Sequence, residues 1–145
     1  MATTTASLSL TSVDLFDDNL SITTSNTLNK AGLTEGLDQT TGLNKTYLTA
    51  TTNVDIITVP GATKDGKQNF VYICNLSEIA SEYIVVSIGD KVIGRLYAGD
   101  FMWTPWNQQA AHLSDIEIAP SVATGMWVEY MIINEGTVLT SSADS

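Results

Sequence analysis

The sequence predicts an all-β protein, an antiparallel β-sandwich or jelly roll that carries an extended N-terminal arm. Short runs rich in Val, Ile and Tyr recur after residue 53, and Gly, Asp or Asn ends most of them. Turn residues separate these runs at short intervals, which is typical of sandwiches and barrels. No segment shows the periodicity of a helix of ordinary length. We therefore expect about seven or eight strands after residue 53.

The densest apolar stretch, residues 69–106, organises the predicted sheets. Tyr83–Ile88 and Lys91–Tyr97 are two β-favouring runs, and only Gly89 and Asp90 separate them. Glycine accepts the positive φ angle that two-residue hairpin turns require. The stretch therefore predicts a β-hairpin whose turn lies at these two residues.

Further strand-like runs complete the predicted sheets, and they lie at residues 54–59, 70–74, 101–106, 115–120 and 126–133. Because Pro105 has no N–H to donate to a ladder, the run around it is expected at a sheet edge. Alternation in these runs predicts a set of core side chains, namely Val71, Ile73, Ile84, Val86, Ile93, Ile116, Ile118, Val128, Tyr130 and Ile132. Residues 76–82 are the one helix-like passage, and we interpret them as a single turn or as a loop that crosses between two sheets.

The first 53 residues differ from the rest because they are crowded with Thr, Ser and Asn. Residues 7–11 and 20–23 alternate between Leu or Ile and hydroxyl side chains, which is the period of a strand, and residues 14–19 form a turn between them. A chain this polar cannot offset its ordering entropy by burying itself, so we expect the arm to lie on another surface. The predicted organisation is an arm at 1–53, a β-sandwich domain at 54–136 and a C-terminal tail at 137–145.

The acidic composition restricts the partners. The chain has 16 Asp and Glu residues against 6 Lys and Arg, which gives a formal net charge of −10. A nucleic-acid-binding protein normally presents a basic stripe, and this sequence has none. We therefore expect no nucleic-acid partner and no membrane partner. We also expect no secretory signal and no membrane helix, since no basic region precedes an apolar core and no run approaches about 20 apolar residues.

Cysteine and histidine are too few to build a disulfide or a zinc site. Cys74 and His112 are the single residues of their types. Cys74 lies in an apolar run, where a buried and unreactive thiol is expected. Asp14, Asp17 and Asp18 have the ligand type that calcium prefers, but their spacing is not that of an EF-hand loop, and a solvated turn is the better interpretation. We predict no metal and no cofactor.

The sequence shows no catalytic constellation. A serine or threonine nucleophile needs a base, and His112 is the single candidate. No Gly-x-Ser-x-Gly motif is present. Three carboxylates could still converge in a glycosidase-like arrangement, since spatial pairing is not visible in a sequence, and these are Asp100, Asp115 and Glu117. Turn and outward-facing strand positions explain them more simply, and we predict that the chain is not an enzyme.

Aromatic residues cluster beside Pro105. Trp is enriched at binding hot spots and the proline indicates an edge, so Trp103 and Trp106 fit a binding surface as well as they fit the core. Trp127 lies on a later run and is predicted in the core. The candidate interface residues are the apolar positions of the arm, members of this aromatic cluster and Arg95. Arg95 is one of the few cations and can pair with a carboxylate across a subunit contact. The full set is Leu8, Leu10, Leu20, Ile22, Arg95, Phe101, Trp103 and Trp106.

Three segments of the sequence resemble known proteins when they are taken together. They are residues 72–77 (YICNLS), 93–100 (IGRLYAGD) and 118–124 (IAPSVAT), and the residues around Trp103 and Trp106 lie between the last two. This set resembles small virion structural proteins of tailed bacteriophages, in particular those of marine cyanobacterial phages. The resemblance covers roughly residues 69–134 and does not include the arm. It identifies no site residues.

The resemblance implies a capsid decoration (cement) protein that binds and stabilises the head shell through its arm and sheet edges. The implied partners are the major capsid protein or other virion proteins, and the implied assembly is a homo-oligomer, by analogy a trimer. The implied location is the capsid surface of the virion, after assembly in the host cytoplasm. The alternative is a tail, neck or fibre component, in which Trp103 and Trp106 stack on a glycan for host adhesion.

Overall fold

The computed structural model describes residues 3–37, 39–57, 68–107 and 114–135. Within these residues the chain is all β and contains no helix, so the predicted fold class is confirmed at that level. The strands, numbered in chain order, are β1 (Thr5–Ser12), β2 (Leu20–Thr27), β3 (Gln39–Thr40), β4 (Asn44–Leu48), β5 (Val54–Ile57), β6 (Asn69–Asn75), β7 (Tyr83–Ile88), β8 (Lys91–Tyr97), β9 (Phe101–Pro105), β10 (Ile116–Pro120) and β11 (Met126–Asn134). His112 and the predicted tail at 137–145 lie outside the described residues.

The strands form three antiparallel sheets in the described part of the chain. A four-stranded sheet has the order β5-β10-β7-β8, and a five-stranded sheet has the order β3-β11-β6-β9 with β4 also paired to β11. β1 and β2 form a separate two-stranded sheet. The strand that contains Pro105 is an edge strand, as the missing N–H predicts.

Side chains from both larger sheets meet in a single hydrophobic core. Its buried members are Leu48, Ile57, Val71, Ile73, Ile84, Val86, Trp106, Ile116, Ile118, Met126 and Val128. Each such aliphatic side chain contributes about 1.5–3 kcal/mol by leaving water. The predicted core positions Tyr130 and Ile132 are half-buried and pack against this core. The two-residue alternation of apolar side chains therefore identifies the inner faces of both sheets.

The predicted hairpin turn at Gly89 and Asp90 is confirmed. These two residues join β7 to β8, and their φ angles are 54° and 67°. Positive φ at both central residues is the geometry of the turn that matches the twist of the flanking strands. Glycine reaches it without strain, and aspartate is among the residues that tolerate it.

Ile93 was predicted in the core, and that prediction is wrong because a β-bulge interrupts the alternation. Ser87 pairs with Val92 and Val86 pairs with Gly94, so Ile93 is the extra residue of the bulge. Its side chain is 58% exposed. A strict two-residue period across the strand cannot anticipate this shift.

Two strands lie in the part of the chain where the sequence shows little periodicity. β4 pairs with β11 from Met126↔Leu48 to Tyr130↔Asn44, and β3 pairs with the far end of β11. The helix-like passage at 76–82 is a loop with a turn, and it connects β6 of one sheet to β7 of the other. The interpretation as a loop crossing between two sheets is therefore correct.

A buried carboxylate attaches the segment that follows β2 to the sheets. The Glu135 carboxylate accepts hydrogen bonds from the backbone N–H groups of Ala31, at 2.9 Å, and Gln68. Leu28 and Leu37 are buried on either side of this attachment. The chain is thus held at the base of the β1–β2 hairpin.

A buried amide links the two larger sheets. Asn75, at the end of β6, donates from Nδ2 to the Leu96 carbonyl at 2.9 Å and accepts from the Ser77 N–H at 2.9 Å. Its backbone carbonyl accepts from Gly99 and its N–H donates to the Asp100 carbonyl. Because Asn75 is fully buried, these bonds satisfy groups that water does not reach.

Candidate functional site

The β1–β2 hairpin, residues 5–27, stands apart from the other sheets, and we call it the hairpin arm. Among the described residues, β1 and β2 form a sheet of their own and pair with neither larger sheet. The Leu28 N–H donates to the Thr4 carbonyl at 2.8 Å and closes the base of the arm. The alternation at residues 7–11 and 20–23 correctly indicates the two strands.

The hairpin arm has one apolar face and one hydroxyl face. Paired residues of an antiparallel ladder point to the same side, and the register joins Leu8 to Thr24, Leu10 to Ile22 and Ser12 to Leu20. The apolar face therefore carries Ala6, Leu8, Leu10, Leu20 and Ile22, together with the polar side chains of Ser12, Thr24 and Asn26. The opposite face carries only hydroxyl side chains, which are Thr5, Ser7, Ser9, Thr11, Ser21, Thr23, Ser25 and Thr27.

The register brings together the four candidate interface residues of the arm on this apolar face. Leu8, Leu10 and Ile22 are 41%, 48% and 43% exposed, and Leu20 is half-buried. A face of this kind normally packs against a sheet or a helix, because apolar surface in water costs about 25 cal/mol for each Å². Much of the apolar face of the arm lies open to solvent.

The loop at the tip of the hairpin arm presents three large apolar side chains. Val13, Leu15 and Phe16 are 77%, 65% and 60% exposed. Ser12 shapes the loop, since its hydroxyl donates to the Asp14 carboxylate and accepts from the Leu15 N–H, both at 3.1 Å. The sequence correctly predicts a turn at residues 14–19 but does not reveal that Val13, just before it, and Leu15 and Phe16, between its aspartates, are exposed together.

A second apolar surface covers the outer side of the five-stranded sheet, and we call it the aromatic face. It carries Tyr47, Phe70, Tyr72, Phe101, Trp103 and Trp127. The rings of Phe70 and Trp103 are stacked, with centroids 5.1 Å apart and planes at 5°. Phe101 and Trp103 are 62% and 38% exposed, so both of these candidate residues are accessible.

A polar pair lies within the aromatic face. The Tyr72 hydroxyl donates to the Glu129 carboxylate at 3.1 Å. Burial, and then the hydrogen bonds with Cys74 and Glu129, raise the pKa of Tyr72 above its ordinary value, so the phenol remains a donor. Cys74 lies on this outer side and is half-buried, which corrects the expectation of a thiol in the core.

A groove of about 720 Å³ separates the base of the hairpin arm from the aromatic face. One wall is formed by the arm, including Ala6, Leu8 and Asn26. The other wall is formed by the sheet, including Tyr72 and Trp103. The lining as a whole is largely apolar, and the arm wall also carries Thr, Ser and Asn side chains. The arm and the aromatic face therefore lie opposite each other across open space.

The two remaining tryptophans exchange their predicted roles. Trp106 is 4% exposed, and its indole N–H donates to the Ser114 carbonyl at 2.7 Å, so its selection as an interface residue is wrong. Trp127 was predicted in the core but is 49% exposed on the aromatic face, where it contacts Tyr47 with ring centroids 4.9 Å apart. Trp106 continues the two-residue alternation of β9, so its side chain lies on the inner side with Met102 and opposite to Trp103.

Arg95 lies on the four-stranded sheet and does not join the other candidates. Its guanidinium lies 4.2 Å from the centre of the Tyr83 ring and donates to the Tyr97 hydroxyl at 3.3 Å. That hydrogen bond, followed by the Tyr83 and Tyr97 charges, raises the pKa of Arg95. The contacts of this cation are therefore aromatic ones on its own sheet.

The three carboxylates considered for catalysis lie in a turn, in a strand or beside a strand, where each has contacts of its own. Asp100 accepts from the Tyr97 N–H at 2.9 Å in the turn between β8 and β9. Burial, and then the neighbouring Asp55, raise the pKa of Glu117. Asp115 is buried beside β10. Among the described residues, no cluster of three or more His, Cys, Asp or Glu side chains could hold a metal ion.

Comparisons with protein-family models, with curated proteins and with solved structures find no match for this chain. The described residues contain no helix with the length and apolar character of a membrane span. The candidate surfaces are thus defined by their own geometry, namely the apolar face and tip of the hairpin arm and the aromatic face of the sheet.

Proposed function

We propose that the chain is a non-enzymatic structural protein of a phage virion, most readily a capsid decoration protein. In this proposal it binds the major capsid protein, stabilises the head shell through its arm and sheet edges, and lies on the capsid surface after assembly in the host cytoplasm. The resemblance of residues 69–134 to small virion proteins supports this assignment. The homo-oligomer, taken as a trimer, belongs to the same proposal.

The observation that carries the proposal is the hairpin arm. An arm that exposes apolar side chains away from its own core is suited to contact a neighbour rather than to stabilise its own fold. Its tip presents Val13, Leu15 and Phe16, which are apolar and accessible. Docking such side chains into a protein surface releases water and does not require basic groups, which this acidic chain largely lacks.

We also propose that the two larger sheets form a β-sandwich of the jelly-roll type. Side chains from both sheets share one core, and the connection from β6 to β7 crosses from one sheet to the other. A rigid double-layered body of this kind would present the arm and the aromatic face in fixed positions.

Counting the chain in purified particles tests the virion assignment. Quantitative mass spectrometry should find it in a number comparable with that of the major capsid protein. Absence of the chain from particles would contradict the virion role. A small fixed number would contradict the decoration role and favour the tail.

Substitution of the tip tests the contact itself. The variant V13S/L15S/F16S should bind particles that lack the protein about tenfold more weakly or worse, since about 1.4 kcal/mol of lost contact corresponds to tenfold. The matched control D17N alters the same loop without removing apolar surface and should bind as the wild type does. Equal binding by both variants would contradict the role of the tip.

The aromatic face favours a second candidate function, that of a tail, neck or fibre component that binds a glycan. Exposed rings of Phe101 and Trp103 can stack against sugar C–H groups. Titration with host-surface polysaccharide should change the tryptophan fluorescence of the wild type, and W103A should lose the response. A flat titration across a polysaccharide panel would contradict glycan binding.

A further inference from the structure

We propose that the hairpin arms of at least three copies of this chain join edge to edge into one closed sheet, with the apolar faces inside and the hydroxyl faces outside. This deepens the proposed function, because it gives the oligomer an interface. It rests on three properties of the arm, namely its unpaired edges, its uncovered apolar face and the absence of charged residues from its two strands.

The arm by itself is an incomplete sheet. A two-stranded hairpin is at best marginally stable in water, and three or more strands with a covered apolar face are needed for independent stability. In the described part of the chain, β1 and β2 pair only with each other, so each strand has an open edge. The base of the apolar face borders the groove, while Leu10, Leu20 and Ile22 lie beyond it.

The edges carry none of the features that prevent strands from pairing with other chains. Monomeric proteins protect edge strands with charged side chains, proline or bulges. β1 (TASLSLTS) and β2 (LSITTSNT) contain no charged residue and no proline, and their ladder is regular over eight pairs. Such edges favour strand addition, in which backbone hydrogen bonds supply the attraction.

The charge distribution favours a second copy as the partner. Two chains that each carry a net charge of −10 repel each other over most of their surface. The uncharged arm strands are a surface on which two copies can meet without opposing carboxylates. The acidic residues of the arm, Asp14, Asp17 and Asp18, lie in the tip loop and outside the strands.

Closure satisfies the edges and the apolar face together. If two arms paired through a single edge, each would keep one open edge and its apolar face would remain wet. If the β1 edge of one copy pairs with the β2 edge of the next, the contact repeats around a cyclic assembly, as head-to-tail interfaces do. Each arm then keeps its hydroxyl face outside, since a slip by one residue would turn the side chains of a strand to the other face of the sheet.

The number of copies has a lower limit set by side-chain volume. Eight strands enclose an interior that side chains just fill, and barrel diameter grows roughly linearly with strand number. Two hairpins supply only four strands, which is too few to enclose leucine side chains. Three hairpins supply six, and the interior would hold Leu10, Leu20 and Ile22, while Ala6 and Leu8 stay at the groove. The tip loops would then gather at one end of the ring, where they remain free to contact a shell.

Sedimentation equilibrium of the purified full chain tests the proposal without any virus particle. The wild type should have a mass at least three times the 15.6 kDa of the monomer. The variant L10D/I22D places carboxylates at a cross-strand pair inside the ring and should sediment as a monomer. The control S9N/T23N alters the adjacent cross-strand pair on the hydroxyl face without adding charge to the strand edges, and it should keep the wild-type mass.

Several results would overturn the closed ring. These are a monomeric or dimeric wild type, an unchanged mass for L10D/I22D, and dissociation of S9N/T23N to the same extent. The milder variant L10A/I22A should weaken association about tenfold or more, which keeps the test valid if the aspartate variant unfolds its arm. Circular dichroism and tryptophan fluorescence would report whether the larger sheets remain folded. Particle binding is measured separately, so failure of the ring and failure of the virion role are distinguishable.

Discussion

β1 of the hairpin arm and β6 of the five-stranded sheet are strands of similar length with opposite burial. β6 alternates between buried and half-buried residues along its whole length, whereas β1 is exposed at most positions. Both have the same two-residue period. The difference teaches that alternation predicts a strand with two distinct faces, but what covers each face depends on the neighbours that the chain supplies. β6 has two strands beside it and a second sheet beneath it, while β1 has one partner.

Truncating an apolar side chain to alanine should affect the free energy of unfolding far more in β6 than in β1, and this is the largest effect that we expect. I73A removes a fully buried side chain of β6 and should lower the free energy of unfolding by about 2–5 kcal/mol, because it leaves a cavity. L10A in β1 should leave the unfolding of the larger sheets unchanged. Urea unfolding followed by tryptophan fluorescence measures both, since all three tryptophans lie outside the arm. A loss of similar size for L10A would mean that the arm packs on the core.

A substitution at the corner before β11 should have the next largest effect. Gly125 has a φ of 114°, and a Cβ atom there would collide with the Tyr47 hydroxyl. G125A should therefore lower stability by about 1–3 kcal/mol through backbone strain, in addition to displacing the Tyr47 ring from Trp127. In a Y47A background the collision is absent and only the strain should remain. An equal loss in both backgrounds would show that the aromatic pair has no part in it.

The buried Asn75 side chain, which links the two larger sheets, should matter more for stability than an exposed asparagine of the hairpin arm. N75A removes the hydrogen-bond partners of the Leu96 carbonyl and the Ser77 N–H. It should lower the free energy of unfolding by about 1–3 kcal/mol. N26A removes an exposed amide from the arm and serves as the matched control, for which no change is expected. Thermal unfolding followed by circular dichroism compares them. Equal midpoints for both variants would contradict a structural role for Asn75.

The smallest expected effect comes from Glu117 and depends on pH. Because its pKa is raised in the folded state, ionisation there is less favourable than in the unfolded chain. The penalty is absent below the ordinary glutamate pKa and complete above the raised one, so this group makes the protein less stable as pH rises through that window. E117Q should slightly raise the melting temperature at pH 7 and should have no effect in acid, whereas the exposed control E78Q should have none at either pH.

Much of the sheet body follows directly from the sequence, because its strands are apolar on one face and end at turn residues. Tyr83–Ile88 and Lys91–Tyr97 have the predicted bounds, since Gly89 and Asp90 permit only a tight turn between them. The exposure of Ile93 could not be predicted, because a bulge arises from how two strands pair and not from the sequence of one strand. β4 is also missed, since its residues NKTYL become a strand through pairing with β11.

The candidate surfaces follow from the sequence only in part. The arm leucines alternate with hydroxyl residues and could be selected on that basis. Trp106 and Trp127 could have been placed by alternation, because Trp106 lies on the side opposite to Trp103 and Trp127 lies on the side opposite to the core residue Val128. The tip residues Val13 and Leu15 are apolar, but only their position at the end of a free hairpin makes them a contact surface.

Hydrogen–deuterium exchange over a range of protein concentrations tests most directly whether the hairpin arm works by contact with other chains. The account predicts that amides of β6 and β11 are protected at every concentration, because their ladders belong to the core-bearing sheet. Amides of β1 and β2 should exchange rapidly when the chain is dilute and become protected as concentration rises. Equal protection of the arm at the lowest concentration would contradict the account, because the arm would then be stabilised within its own chain.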